Sequence, residues 1–283
     1  MENHPVDLIS AALAEDVGAG DVTSEFFVAP EVQALARIIA RERAVVAGSE
    51  TAAEVFRRVD PKLHIQVLRP DGASLSGGET IMEIRGAARS ILTAERVALN
   101  FLQRLSGIAT LTRQFVEAAG KTKAKILDTR KTTPGLRALE KAAVAAGGGV
   151  NHRHGLYDMV LVKDNHLIAT SGLSTLTAAV ARVRRERPGV RVELEADRLD
   201  QVREFLEIAG VDVILLDNMK PTEMREAVAL RKKRDVRFEA SGGVTLKNIR
   251  QIAATGVDYV SVGALTHSAR AIDLSLELTH VAG

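Results

Sequence analysis

Arg130, Lys131, His152, Arg153 and Lys163 fall within one stretch, 128–166, and all are cationic or can become so. Two apolar runs in this stretch, Ala124–Asp128 and Asp158–Val162, read as strands, and each ends in a burst of charge. Between them lie a short helical segment, the Gly147-Gly148-Gly149 turn and the cluster Asn151-His152-Arg153-His154. If the two strands share a sheet, the cations collect at one end of it and make a pocket for something strongly anionic. An arginine grips a carboxylate or phosphate with two parallel hydrogen bonds, so two arginines point to two such groups. Taken singly, each could instead be a surface ion pair.

Two further sets of residues follow. Glu195 and Asp217 end apolar runs, and paired carboxylates there can hold Mg²⁺ or ribose hydroxyls; the plainer alternative is a pair of caps or salt bridges to the cations. Ser241-Gly242-Gly243 and, after Val262, Gly263-Ala264 sit before expected helix starts. Bare backbone N–H groups there bind phosphate without a charged side chain, although the same glycines also suit tight strand-to-helix turns. Zinc at His152, His154 and His166 is disfavoured, because Arg153 would repel the ion and no acidic or cysteine ligand has matching spacing. No G-x-S-x-G elbow supports serine hydrolysis. Together the three sets suit an anionic small molecule beside a phosphorylated, Mg²⁺-bound sugar. A phosphoribosyl transfer would use all of them.

Composition narrows the partners. The 283 residues are 46% hydrophobic and 26% charged, ordinary for globular domains. Net charge is +2, with 38 basic against 36 acidic residues, so no global field recruits nucleic acid or membrane. Aromatics make up 3% and tryptophan is absent, which removes stacking platforms for single strands. The absence of cysteine excludes disulfides, thiol nucleophiles and cysteine metal sites, and fits a reducing compartment. With no signal-like N-terminus and no spanning apolar run, the expectation is a cytoplasmic protein.

The elements that must position these residues show two rhythms. Residues 1–92 read as a mixed region: a first helix around Val6, Ile9 and Leu13, strands at Ala34–Ala40, Lys62–Leu68 and Ile81–Ile84, and a helix at Ser49–Val59. A long helix is expected from a cap at Thr93 to about Ala119, with a bend at Gly107. From Lys121, strand alternates with helix. Six strands are expected at Ala124–Asp128, Asp158–Lys163, Val190–Glu195, Val213–Asp217, Arg237–Ala240 and Tyr259–Val262. Helices are expected at Leu176–Arg187, Leu199–Ala209, Pro221–Lys232 and Leu246–Thr255, with Thr245 as an N-cap and a last helix at Ala269–Val281. The spacing is that of βα units, in an open sheet or a barrel. No G-x-G-x-x-G follows the first strand, and Gly-rich turns follow the last two, which favours the barrel. Its active site would be the rim where the strands end.

The segments DTRKTTPGLRALEKAAVAAGGGVNHRHGL, LVKDNH, VELEAD, ILLDNM, EASGGV and VSVGALTHS, with EDVGAGDVTS and ERVALNFLQRLSGIAT upstream, resemble the quinolinate phosphoribosyltransferases over nearly the whole chain and in order. The resemblance implies an α/β fold: an N-terminal sandwich (1–105, joined by a C-terminal helix, 268–283) and an incomplete α/β barrel (106–267) with its phosphate site at the C-terminal strand ends. It implies a homodimer in which Arg96 reaches the partner's site, and the Mg²⁺-dependent conversion of quinolinate and phosphoribosyl pyrophosphate to nicotinate mononucleotide, pyrophosphate and CO₂ in NAD synthesis. By resemblance, Arg130, His152, Arg153 and Lys163 hold the dicarboxylate. Lys131, Glu195, Asp217, Ser241 and Gly263 meet the phosphoribosyl pyrophosphate, its metal or the product phosphate. Lys131, Glu195 and Asp217 are the expected catalytic residues, and the last two the metal ligands. Thr129, Gly242, Gly243, Val262 and Ala264 complete the substrate-binding set.

Two rivals are distinguishable. A nicotinate-specific sister enzyme should lack an arginine or Lys163, and an inactive binding module should lack Glu195, Asp217 or Lys131. All are present.

Overall fold

The structure is a computed structural model that describes residues 7–164, 166, 172–232 and 234–280. Val6, Asn165 and the end of the expected last helix lie outside these. The chain forms two compact units. The first comprises Met1–Arg113, Thr132–Gly148 and Thr266–Gly283; the second comprises Gln114–Lys131 and Gly149–Leu265.

In the first unit, α1 (Leu8–Val17) and α2 (Val22–Phe27) precede β1 (Gln33–Ala40), β2 (Ala44–Val45), α3 (Ser49–Val59), β3 (His64–Val67), β4 (Ser74–Leu75) and β5 (Thr80–Ala87). The 32-residue α4 (Ala88–Ala119) starts directly after β5 and runs past the boundary at Arg113, and α5 (Arg137–Ala146) belongs to this unit. The final strand β12 (Leu274–His280) pairs antiparallel with β1, giving a sheet in the order β12-β1-β5-β3. Ala34, Ala36, Ile38 and Ala40 turn one face of β1 into a core with Phe56, Ile81, Ile84, Ile91 and Leu102. Period-two alternation is what buries one face of such a strand.

Two expectations are corrected here, and Gly107 gains a packing role. The segment expected as a C-terminal helix, 268–283, instead supplies β12. Leu274, Leu276 and Leu278 alternate with Ser275, Glu277 and Thr279, which is a strand period. Thr93 does not cap α4. Its hydroxyl donates to Asp21 Oδ2 at 3.1 Å, and Asp21 itself caps α2 through Ser24 N–H at 3.0 Å. At Gly107 a Cβ would lie 1.9 Å from the Arg270 carbonyl oxygen, so this glycine admits the chain that leads into β12.

The second unit carries six parallel strands: β6 (Lys125–Leu127), β7 (Met159–Val162), β8 (Arg191–Ala196), β9 (Val213–Asp217), β10 (Arg237–Ser241) and β11 (Tyr259–Ser261). Their order is β6-β11-β10-β9-β8-β7, and the pairings among the described residues of this sheet are parallel. The first two strands stand at opposite ends of that order, as in a barrel left open between them. Helices α6 (Leu173–Glu186), α7 (Leu199–Leu206), α8 (Pro221–Leu230), α9 (Ile249–Ala253) and α10 (Ala264–His267) alternate with the strands. Strands such as β9, with Val213 to Leu216 all buried, are covered on both faces. Pro221 opens α8. Thr245 is not an N-cap: its N–H donates to Asn248 Oδ1 at 2.8 Å and α9 begins after Asn248.

Candidate active site

The C-terminal ends of parallel strands put the expected residues on one rim of the second unit. Asp128, just beyond β6, is fully buried and its Oδ1 accepts the His152 N–H at 2.9 Å. A bridge between Leu127 and Val150 fixes the residue just upstream. The Asn151–Arg153 segment is thereby fastened to the end of the first strand. Arg153 is buried, with Nη1 donating to the Met159 carbonyl at 3.1 Å. Burial, and then the neighbouring Arg130 charge, pull its guanidinium below the ordinary arginine value. A bound anion would offset this mutual repulsion. Thr129 Oγ1 accepts the Lys131 N–H at 3.1 Å and shapes the turn that carries Arg130 and Lys131.

Lys163, exposed at the end of β7, places Nζ 3.1 Å from Glu195 Oε2 at the end of β8. The cationic and carboxylate sets therefore meet. Glu195 and Asp217 are both half-buried. Val262 is buried, and its N–H donates to the Leu127 carbonyl at 2.9 Å, so it contributes backbone wall. Gly263 and Ala264 follow it, with Ala264 opening the four-residue α10.

Ser241-Gly242-Gly243 departs from expectation in one respect. The next helix begins only at Ile249, so this turn does not abut a helix N-terminus. Gly242 and Gly243 take φ +93° and +61°, and consecutive residues of this kind can present backbone N–H groups to an anion from a loop. Arg96 is exposed on α4 in the first unit.

Sequence reasoning missed two residues. Glu193 lies two positions before Glu195 on β8, and Glu239 two before Ser241 on β10, so each occupies the layer beneath a rim residue. Both are buried, at 0% and 2% exposure. Glu193 Oε2 is 3.2 Å and Glu239 Oε1 3.6 Å from His152 Nε2, while Arg153 N–H donates to His152 Nδ1 at 2.7 Å. The carboxylate approaches lack hydrogen-bond alignment: both oxygens of Glu193 and Oε1 of Glu239 have no hydrogen-bond partner. Burial pushes Glu193 up to about 7 against the pull of Arg153, and burial plus Glu193 pushes Glu239 up to about 8. The ligand atoms of His152, Glu193 and Glu239 lie within 4.8 Å of one another, a spacing that would also admit a metal ion. With Arg153 adjacent and both acids driven toward neutrality, a proton-sharing pair is the better description. The available sequence signal was a glutamate on the inward period of an otherwise apolar strand.

Comparison with known proteins agrees with this geometry. The model for "Quinolinate phosphoribosyl transferase, C-terminal domain" matches residues 108–277, and its N-terminal counterpart matches 21–106. A "Probable nicotinate-nucleotide pyrophosphorylase [carboxylating]" of Bacillus subtilis is 41% identical over 272 residues, 96% of this chain and 92% of the relative. A protein of the same description from Synechocystis is 42% identical, covering 94% and 90%. The crystal structure of NadC from Streptococcus pyogenes superposes with a TM-score of 0.91 at 41% identity, covering 98% and 96%. On both domain matches and these identities, the chain belongs to the quinolinate phosphoribosyltransferase family, the decarboxylating pentosyltransferases of NAD biosynthesis.

Proposed function

We propose that this chain transfers the phosphoribosyl group of phosphoribosyl pyrophosphate to quinolinate, giving nicotinate mononucleotide, pyrophosphate and CO₂. The observation that carries the dicarboxylate reading is that the buried Arg153 and Arg130 belong to one strand-end rim, with the segment of Arg153 fastened to the end of the first strand through Asp128. Two guanidinium groups can each take a carboxylate as a bidentate partner, which suits an acid with two carboxylates. Lys163, already within 3.1 Å of Glu195, joins the acid half of the site to the sugar half.

Each group then has a task. Arg130, Arg153 and Lys163 orient the acid so that its ring nitrogen faces C1 of the ribose. As the C1–O bond to pyrophosphate breaks, positive charge grows on the sugar, and Glu195 and Asp217 stabilise it while gripping hydroxyls. Lys131 neutralises charge on the departing pyrophosphate. The ring nitrogen becomes quaternary on bonding to C1. The adjacent carboxylate then leaves as CO₂, the electron pair remains on the ring carbon beside N⁺, and that carbon takes up a proton. The Ser241–Gly243 turn and Gly263-Ala264 receive the 5′-phosphate.

Glu195 and Asp217 are hard oxygen donors at the rim and fit Mg²⁺. When bound there, the ion would supply Lewis-acid charge neutralisation for the pyrophosphate. A homodimer with Arg96 acting on the partner's site is also proposed, supported by that residue's exposure on α4. A cytoplasmic setting is part of the same proposal. The deciding test is a steady-state assay with Mg²⁺, phosphoribosyl pyrophosphate and either quinolinate or nicotinate. CO₂ release and nicotinate mononucleotide from quinolinate are expected; turnover of nicotinate alone would sink the dicarboxylate reading.

A further inference from the structure

We propose that Asn218 is a positioning residue that fixes the Asp217 carboxylate through its side-chain amide and locks it to the Ser241–Gly243 turn. The inference rests on the reading of Asp217 as part of the sugar half of the site. Asn218 follows β9 directly and adopts φ +53°; Lys232 is the other non-glycine residue with positive φ among the described residues, and it sits in an exposed turn after α8. A left-handed residue beside a functional carboxylate invites the question of what holds it there.

Three contacts answer it. Asn218 N–H donates to the Ser241 carbonyl at 2.9 Å. Its Nδ2 donates to Asp217 Oδ2 at 2.8 Å. Its Oδ1 lies 2.1 Å from where a Cβ at Gly242 would stand, so the amide rests on bare backbone of that turn. Gly242 is therefore glycine for two reasons, its φ of +93° and this close approach. One residue thus ties the end of β9 to the end of β10. With Oδ2 occupied by the amide, Oδ1 of Asp217 has no hydrogen bond among the described residues and is the oxygen left for a sugar hydroxyl or a cation.

The competing account is that asparagine is present only because it tolerates this backbone. Two substitutions separate the accounts. Asn218→Gly suits the backbone at least as well but removes the amide. Asn218→Asp keeps the shape and replaces a donor by a second carboxylate beside Asp217. Hydrogen bonds to charged groups are strong enough that the glycine variant should lose about tenfold or more in kcat/KM for phosphoribosyl pyrophosphate. Its half-saturating Mg²⁺ concentration should rise, KM for quinolinate should stay within about twofold, and its melting temperature should not fall. The aspartate variant should lose at least as much in the same parameter.

Both variants matching wild type would overturn the inference, and so would equal losses for the two substrates. Binding of phosphoribosyl pyrophosphate with Mg²⁺, followed by calorimetry, separates this outcome from failure of the functional reading. A wild-type protein that neither binds it nor turns over quinolinate removes both the functional reading and the inference. A wild type that does both beside an unimpaired Asn218→Gly removes only the role of Asn218.

Discussion

Replacing Glu239 by glutamine tests the buried acid pair, and the expected effect follows from proton counting. Glu239 is 2% exposed, and burial together with Glu193 lifts it from 4.5 to about 8. A carboxyl raised in the folded state keeps a proton that the unfolded chain has already released. Its stabilising share is therefore complete below about pH 4.5 and is lost as pH climbs toward 8. One such proton gives a slope of about 1.4 kcal/mol per pH unit, or about 4 kcal/mol over roughly three units. Carboxylates held low by ion pairs, such as Asp7 and Glu42 at about 2, are ionised in both states throughout this window and add no slope. Glutamine mimics the protonated acid in size and cannot ionise. Relative to wild type, Glu239→Gln should thus be no more stable near pH 5 and gain about 3–4 kcal/mol by about pH 8.5. Urea unfolding at a series of pH values measures this. The chain has no tryptophan and two tyrosines, Tyr157 and Tyr259, both in the second unit, so tyrosine fluorescence reports the unit that holds the pair. Parallel stability curves for the two proteins across pH 5–8.5 would refute the assignment of a retained proton to this pair.

Other outcomes bear on the substrate halves and on the fold. Arg153→Ala should weaken quinolinate by about two orders of magnitude, roughly 3 kcal/mol for a stranded buried charge partner, with a far smaller effect on phosphoribosyl pyrophosphate; KM for each substrate checks it, and equal losses would count against the division. Mixing Arg96→Ala and Lys163→Ala subunits should restore part of the activity if the site is shared, and heterodimers shown to form without recovery would exclude Arg96 acting in trans. Gly107→Ala forces a Cβ to 1.9 Å from the Arg270 carbonyl and should destabilise the first unit by about 3 kcal/mol in thermal or urea unfolding; an unchanged midpoint would contradict that close approach.

How much was legible in the sequence depended on how local the signal was. The six parallel strands end close to where period and charge place them, because a fully buried strand is a short apolar run bounded by polar residues. Arg130, Arg153, Lys163, Glu195 and Asp217 were visible for the same reason: strand ends are where polarity resumes. The last strand was missed although Leu274, Leu276 and Leu278 alternate, because its partner β1 lies some 240 residues earlier and no local feature announces that pairing. The start of α4 was misplaced because the chain passes from β5 into helix with no intervening turn. Glu193 and Glu239 stayed hidden since a charged letter inside an apolar run reads as a surface position, and only the fold shows that both point to His152.

Those two acids also explain why the rim can carry so much charge. Glu193 and Glu195 share a face of β8, and the charge on Glu195 is among the causes that raise Glu193. If Glu193 and Glu239 were both ionised, the layer beneath the rim would hold two buried negative charges under the carboxylates that must meet a phosphorylated anion. With a proton kept on the pair, less negative charge lies beneath Arg130, Arg153 and Lys163, and the net pull on an incoming dicarboxylate is preserved. His152 then has a meaning that a list of cations misses. Its Nδ1 is occupied by the Arg153 N–H and its Nε2 faces the acid pair, so it links that layer to the segment carrying Arg153. On this argument, changing His152 should disturb the placement of Arg153 as much as it removes a contact to substrate. The kinetic profile of His152→Ala should accordingly resemble that of Arg153→Ala, with the loss confined to quinolinate; a loss confined to phosphoribosyl pyrophosphate would break the link.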